Sequence, residues 1–181
     1  MDVSPEALHK GLKTIASNCD RLIKKDKMTD SEKEKVLAKV RPVTRIDELS
    51  DCDFVVEAAT ENLELKLNIF RDLDKKVKAS ALLWSNTSSI SITKISGVTK
   101  RPEKVAGMHF MNPVPLMPLV EGVRGLQTSE ETFKQVAQFA ESLGKVFVEA
   151  KDMHGFIVNR DILPMIYEEV YTFHVSVGSE A

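Results

Sequence analysis

Two ionisable residues, His109 and Glu121, lie in the segment GMHFMNPVPLMPLVEG at residues 107–122, where each interrupts an apolar run. A histidine that titrates near neutral pH can take and return a proton, and a carboxylate bonded to its ring can hold the ring in one tautomer. The pattern therefore predicts a general base and its partner. On spacing alone two alternatives stay open: a hydrogen-bonded core histidine, and an acid that faces a helix or a loop.

Polar residues also follow two other apolar segments. Thr60 and Glu61 come after DFVVEA, and the run Asn86-Thr87-Ser88-Ser89 comes after ALLWS. If these segments are parallel strands, their carboxyl ends lie at one edge of a sheet, which is where such sheets bind ligands. This placement predicts a site at that edge. Ser88 is equally suitable as a helix cap, and that alternative stays open.

The elements needed to position these residues can be predicted from hydrophobic periodicity. Short apolar segments predict strands at 53–58, 81–85, 104–110, 119–124 and 145–149. Helical spacing predicts helices at 61–77, 89–96 and 129–143, and from 155 to about 175. The alternation favours an α/β fold with a mostly parallel sheet and flanking helices.

The first forty residues predict a helical hairpin at 4–40 that projects from this body. Ser4-Pro5-Glu6 is a helix start, and Thr29-Asp30-Ser31-Glu32 has the form of a capping box. Lys25 stands near the end of the first helix with Lys24 and Lys27. These lysines either extend into solvent at a helix end or contact an anionic ligand.

Composition excludes several classes of protein. The 181 residues carry a net charge of −2, are 43% hydrophobic and 29% charged, and include two cysteines, Cys19 and Cys52, that are far apart. There is no basic patch for nucleic acid, no metal-ligand spacing and no apolar run of the roughly 20 residues that span a bilayer. We expect a soluble intracellular protein without a metal site. Cytoplasm, mitochondrion and peroxisome are not distinguished.

Six segments, in this order and spacing, resemble the 3-hydroxyacyl-CoA dehydrogenase family, which includes the 3-hydroxybutyryl-CoA dehydrogenases. They are MDVSPEAL, VVEAATENLELK, SNTSSISITKI, GMHFMNPVPLMPLVEG, ETFKQVAQFAESLGK and GFIVNR. The resemblance implies an incomplete Rossmann-like NAD-binding domain over 1–155 that lacks the glycine-rich phosphate turn. It implies that 156–181 is the helical start of a linker toward a C-terminal domain, missing here, through which the family forms homodimers.

The resemblance also implies roles for individual residues. His109 would be the catalytic base and Glu121 its carboxylate partner, with Ser88 and Asn159 as further catalytic residues. The residues implied to bind substrate are Ser88, Asn159 and, at the CoA moiety, Lys25. The residues implied to lie at the NAD cofactor are Asp2, Glu61, Lys66, Ser88 and Asn112.

The predicted function is NAD-dependent oxidation of (S)-3-hydroxyacyl-CoA to 3-oxoacyl-CoA, in fatty acid β-oxidation or butanoate metabolism. The sequence contains no G-x-G-x-x-G, whose amides would hold the cofactor pyrophosphate. This predicts that the chain alone is a poor dehydrogenase. The alternative function is that of an inactive relative that at most binds acyl-CoA or a partner subunit.

Overall fold

The amino-terminal residues are helical. The computed structural model describes residues 1–175, which fall into a first unit, Met1–Asp51, and a second unit that begins at Cys52. In the first unit, helix α1 spans Pro5–Ile23, helix α2 spans Asp30–Lys39, and a 3-10 helix spans Ile46–Leu49. The two predicted helices are confirmed, and Lys33 of α2 forms an ion pair with Asp20 of α1.

Both helices begin with the predicted caps. The Ser4 hydroxyl accepts the Ala7 N–H at 3.1 Å, and Pro5 occupies the first turn, where a missing N–H costs nothing. At α2 the Thr29 hydroxyl accepts the Glu32 N–H while the Glu32 carboxylate accepts the Thr29 N–H at 2.8 Å. Backbone N–H groups at the amino-terminal ends of these helices therefore find hydrogen-bond partners in nearby side chains.

The second unit is built on one five-stranded sheet. Its strands are β1 Phe54–Glu57, β2 Leu82–Ser85, β3 Val105–Phe110, β4 Leu119–Arg124 and β5 Val146–Lys151, in the spatial order β1-β2-β3-β4-β5. Neighbouring strands are parallel except for β3 and β4, which are antiparallel. The predicted α/β class and the mostly parallel sheet are confirmed.

Four helices accompany the sheet: α3 Leu63–Lys76, α4 Ile92–Ser96, α5 Glu130–Ser142 and α6 Val158–His174, and a 3-10 helix spans Pro102–Lys104. Helix α4 is shorter than the predicted 89–96. The reason is a separate turn in front of it, where the Thr87 hydroxyl accepts the Ile90 N–H at 2.9 Å. Ser91 then caps α4, because its hydroxyl accepts the Lys94 N–H at 3.2 Å.

The two faces of the sheet are covered differently. Because side chains alternate along a strand, Trp84 and Met108 point toward α5, where they pack with Val136 and Ala140. His109 follows Met108 directly and so lies on the opposite face. Gly107, on that same face, has the Ile92 side chain of α4 close to its Cα. The alternation therefore keeps the ionisable residues away from the apolar layer under α5.

The division between an NAD-binding domain ending at 155 and a linker at 156–181 stays a prediction. The described part of that linker is α6, which exposes several large apolar side chains, among them Met165, Tyr167, Val170 and Tyr171. The last six residues of the predicted linker, 176–181, lie outside the described residues.

Candidate active site

His109 and Glu121 meet across two neighbouring strands. They are direct partners in the antiparallel register of β3 and β4, so both side chains leave the same face of the sheet. His109 Nδ1 lies 2.7 Å from Glu121 Oε2, within hydrogen-bond distance. His109 is 6% exposed and Glu121 is fully buried. The predicted contact between the two side chains is therefore present.

The second carboxylate oxygen of Glu121 binds the start of helix α6. Glu121 Oε1 accepts the backbone N–H groups of Ile157 and Val158, both at 2.9 Å. These amides would otherwise lack partners, and the positive end of a helix favours a carboxylate. An ionised carboxylate only accepts hydrogen bonds, so His109 Nδ1 carries the hydrogen. The other ring nitrogen, Nε2, is then the basic one.

A sharp turn between β5 and α6 makes this arrangement possible. Gly155 and Phe156 both have positive φ, 78° and 50°. A glycine adopts this conformation freely, whereas for Phe156 it is uncommon. The turn aims the following amides at Glu121 and places the Phe156 ring edge-on to His109, with centroids 5.8 Å apart. Sequence reasoning missed Phe156, although GFIVNR was recognised as a motif.

A second set of hydrogen-bonded polar residues connects the segments that follow β1 and β2 with helix α6. Asn159 donates from Nδ2 to the Ser88 carbonyl oxygen at 3.1 Å. The Ser88 N–H donates to Glu61, whose other oxygen accepts the Thr87 hydroxyl at 2.7 Å. Three of the predicted site residues, Ser88, Glu61 and Asn159, are thus brought together. The residues described include no hydrogen-bond partner for the Ser88 hydroxyl, which leaves it available to a ligand.

Lys66 is placed differently from the other predicted cofactor residues. Its side chain is fully buried, and Nζ forms an ion pair with Glu57 at 2.8 Å. Glu57 is the last residue of β1 and is itself 5% exposed. Sequence reasoning missed Glu57. An acid ending an apolar strand, with a lysine nine positions later in the first turn of a helix, is the signal that could have found it.

The remaining predicted residues are exposed. Asn112 lies in the loop after β3. Near the start of that loop, the Phe110 N–H donates to Asn86 Oδ1 at 2.8 Å. Asp2 and Lys25 belong to the first unit. The Asp2 carboxylate accepts the Ser4 N–H at 2.9 Å, and Lys25 follows the end of α1. Their binding roles stay predictions.

Comparison with known proteins assigns the family. The model that describes the 3-hydroxyacyl-CoA dehydrogenase NAD-binding domain matches residues 1–153. The chain belongs to this family. The predicted family is confirmed, and with it NAD as the family's cofactor and NAD-dependent dehydrogenase as its class of enzyme.

Curated relatives and solved structures agree with this assignment. The chain is 44% identical to a 3-hydroxybutyryl-CoA dehydrogenase of Bradyrhizobium diazoefficiens, over 98% of this chain and 61% of the relative. It is 45% identical to a probable 3-hydroxybutyryl-CoA dehydrogenase of Bacillus subtilis, over 98% of this chain and 62% of the relative. The crystal structure of (S)-3-hydroxybutyryl-CoA dehydrogenase from Ralstonia eutropha superposes with a TM-score of 0.95 at 46% identity, and covers 99% of this chain and 63% of that one. The chain thus spans about three fifths of the length of these relatives.

The residues present fit one end of the NAD molecule. The free Ser88 hydroxyl and the exposed Asn112 amide are neutral groups of the kind that can bind a nicotinamide or its ribose. The sequence has no glycine-rich turn to cradle the pyrophosphate. The residues present therefore fit the nicotinamide end of the cofactor better than its pyrophosphate.

Across residues 1–175, no three histidine, cysteine or acidic side chains cluster in a way that could hold a metal ion. In the same residues, every helix is too short or too polar to cross a membrane.

Proposed function

We propose that this chain supplies the proton-handling part of an NAD-dependent 3-hydroxyacyl-CoA dehydrogenase, which oxidises (S)-3-hydroxyacyl-CoA to 3-oxoacyl-CoA. The curated relatives named 3-hydroxybutyryl-CoA dehydrogenase support a short-chain member of this substrate class. The observation that carries the proposal is the buried His109–Glu121 pair with its 2.7 Å contact. A histidine that merely filled the core would not need a fully buried carboxylate beside it.

In this reaction His109 takes the proton of the substrate hydroxyl through Nε2 as carbon 3 is oxidised. When bound, NAD accepts the hydride from that carbon. The Glu121 carboxylate stabilises the positive charge that develops on the imidazole, and the two amides of α6 keep the carboxylate in place. In the reverse direction His109 returns the proton to the oxygen.

Two further residues are proposed to bind the reacting oxygen. The Ser88 hydroxyl and the second amide hydrogen of Asn159 can each donate a hydrogen bond to it, since the first amide hydrogen is held by the Ser88 carbonyl. Asp2, Glu61, Lys66 and Asn112 are proposed to serve the cofactor, and Lys25 the CoA moiety. Homodimer formation through a further helical domain is likewise a proposal carried by the resemblance.

The proposal is tested by following NADH absorbance while the chain reduces acetoacetyl-CoA. We expect turnover well below the roughly 10 per second of a typical enzyme, because the sequence has no phosphate turn. His109→Gln should lower the remaining rate about 10²- to 10⁴-fold. His154→Gln, an exposed histidine in the same unit, is the control. A His109→Gln variant as active as the parent chain would refute the assignment.

The missing glycine-rich turn favours one alternative, a chain that binds acyl-CoA or a partner subunit without turnover. Calorimetry with acetoacetyl-CoA separates the two. Binding without any NADH oxidation would support the alternative, and turnover that depends on His109 would reject it.

A further inference from the structure

Phe156 is a buried residue in an otherwise exposed turn. Two other residues of the turn, Met153 and Ile157, are 56% and 38% exposed, whereas Phe156 is 4% exposed. Its ring packs edge-on against the His109 imidazole, with 5.8 Å between the ring centroids. On this side of the site, the ring of Phe156 therefore lies between His109 and the solvent around the turn.

The backbone of Phe156 adopts a conformation that its side chain disfavours. Its φ of 50° lies in the left-handed region, where the Cβ atom crowds the following carbonyl oxygen. Within residues 1–175, Asp26 is the other non-glycine residue with positive φ, at 54°. Aspartate tolerates this conformation better, because its short polar side chain can form local hydrogen bonds. A bulky residue in this region points to a functional constraint.

The shape of the turn alone does not require a phenylalanine. Gly155, just before it, shows that glycine adopts positive φ in the same turn, and a second glycine at 156 would direct the Ile157 and Val158 amides equally well. The side chain of Phe156 must therefore contribute something that offsets the strain of its backbone. Its contact with His109 is where that contribution is made.

The His109–Glu121 contact gains from the absence of water. Hydrogen bonds and charge interactions are stronger in a medium of low polarity than in water. Glu121 Oε1 is already occupied by the two amides of α6, so Oε2 is the oxygen for which water would compete with His109 Nδ1. A water molecule at this contact would weaken the attraction between the ring and the carboxylate and let the ring turn.

We propose that Phe156 is a positioning residue, whose ring keeps water out of the hydrogen bond between His109 Nδ1 and Glu121 and holds the imidazole against the carboxylate. The exclusion of water is a property of the chain by itself. Its consequence for proton transfer rests on the proposed function. The strained backbone of Phe156 is the cost of placing an aromatic ring at this point.

The exclusion of water is tested by NMR measurement of solvent exchange at the His109 ring N–H, in protein labelled with ¹⁵N-histidine. His9, His154 and His174 are exposed, so their ring hydrogens should exchange too fast to be observed. We expect one slowly exchanging ring N–H in the parent chain, absent from His109→Gln. A parent chain without such a signal would mean that water reaches the pair, and would overturn the proposal.

Phe156→Ala should raise the exchange rate of this ring N–H at least about tenfold, measured relative to the core amide of Val123. The matched control is Phe133→Ala on the opposite face of the sheet. Phe133 is also 4% exposed and also packs edge-on against an aromatic ring, that of Phe147 at 5.6 Å. The control should destabilise the same unit without changing the His109 rate relative to the core. An unchanged rate in Phe156→Ala, or an equal rise in Phe133→Ala, would overturn the inference.

Phe156→Gly separates the loss of the ring from the loss of stability. Glycine relieves the strain of positive φ, so this variant should unfold at a higher urea concentration than Phe156→Ala. Its His109 ring N–H should nevertheless exchange at least as fast, because the ring is equally absent. An exchange rate that followed stability, and was therefore slower in Phe156→Gly, would refute a role for the ring itself. This variant also provides the test if Phe156→Ala does not fold.

The consequence for the reaction is tested by acetoacetyl-CoA reduction in Phe156→Gly. A misplaced base should lower kcat about tenfold and leave KM unchanged. A raised KM with an unchanged kcat would mean that Phe156 serves substrate binding, and would overturn its positioning role. Absence of turnover in the parent chain would instead count against the proposed function, and the exchange of the His109 ring N–H would still decide the role of Phe156.

Discussion

The Glu121 carboxylate joins three parts of the chain: β4, on which it stands, His109 of β3 and the first amides of α6. Each oxygen has its own partners, so the residue both orients His109, the proposed base, and holds a helix. A neutral amide is not equivalent, because a glutamine whose oxygen accepts the two backbone amides turns its NH2 group toward Nδ1. The ring can accept that hydrogen only in the tautomer that carries its own hydrogen on Nε2, and Nε2 is then no longer basic. The chemistry and the folding of this site therefore depend on the same side chain.

We accordingly expect Glu121→Gln to lower the free energy of unfolding by at least about 2 kcal/mol, since bonds to a buried charged group are lost. Urea unfolding followed by circular dichroism measures this loss. The amides of Ile157 and Val158 should also exchange faster with solvent.

The control for this variant is Glu149→Gln on β5. Glu149 is largely exposed and bonded to Arg124 at 3.0 Å, so its loss should cost less than about 1 kcal/mol. Equal losses in the two variants would show that Glu121 does not hold α6.

Single residues also show how far the sequence could predict the site. The strand-end placement of His109 and Ser88, and the pairing with Glu121, follow from local patterns and the family motif. The arrangement of Lys66 does not, because its partners are chosen by the path of the turn after β1. Phe156 was missed for a related reason, since a left-handed phenylalanine is set by what surrounds it and not by its own preference.

At the scale of the elements, strand β3 leaves no room for a side chain at Gly107. A Cβ built there would lie 2.6 Å from the Cβ of Val123 and 3.0 Å from the Ile92 side chain. Val123 cannot yield easily, because its Cβ moves only with its backbone. The glycine lets β3 pair with β4 and place His109 beside Glu121.

Gly107→Ala should therefore destabilise the second unit by about 1–3 kcal/mol through overpacking. Gly11→Ala is the counterpart within α1, where nothing lies within 4 Å of the added atom. It should stabilise the helix by about 0.5–1 kcal/mol. Urea unfolding of both variants tests the pair of expectations, and a neutral Gly107→Ala would contradict the packing argument.

The elements were easier to predict than their ends. Strands and helices were found in the right order because a buried sheet needs continuous apolar segments and a surface helix needs an apolar stripe. The start of α4 was predicted too early, because the Thr87 hydroxyl binds nearby amides and forms a turn that resembles a helix start. The antiparallel pairing of β3 with β4 was not predicted, since the loop between them gives no periodic signal.

At the scale of the whole molecule, the net charge is −2, so the chain has no overall positive charge to attract an anionic ligand. A contact with the CoA phosphates must therefore come from individual cationic side chains. Lys25 is exposed in the first unit and is proposed to meet the CoA moiety. Lys25→Ala should weaken acetoacetyl-CoA binding about two- to fivefold, as expected for an exposed charge pair. The effect should shrink as salt is added.

Calorimetry at low salt measures this change. Lys10→Ala, which removes another exposed lysine from α1, should leave the affinity unchanged, and both variants should unfold at nearly the temperature of the parent chain. Unaltered affinity in Lys25→Ala would remove this residue from the proposed site.

The contact between Glu121 and α6 also sets an order of events during synthesis. The amides that complete the carboxylate come 36 and 37 residues after it in the chain. At a translation rate of about 5–20 residues per second, they are made roughly 2–7 s after Glu121. Throughout that interval Glu121 Oε1 lacks the two backbone N–H groups that donate to it in the folded chain. His109 and Glu121 are thus made before the amides that complete their hydrogen bonding, and the site is completed by the last helix described.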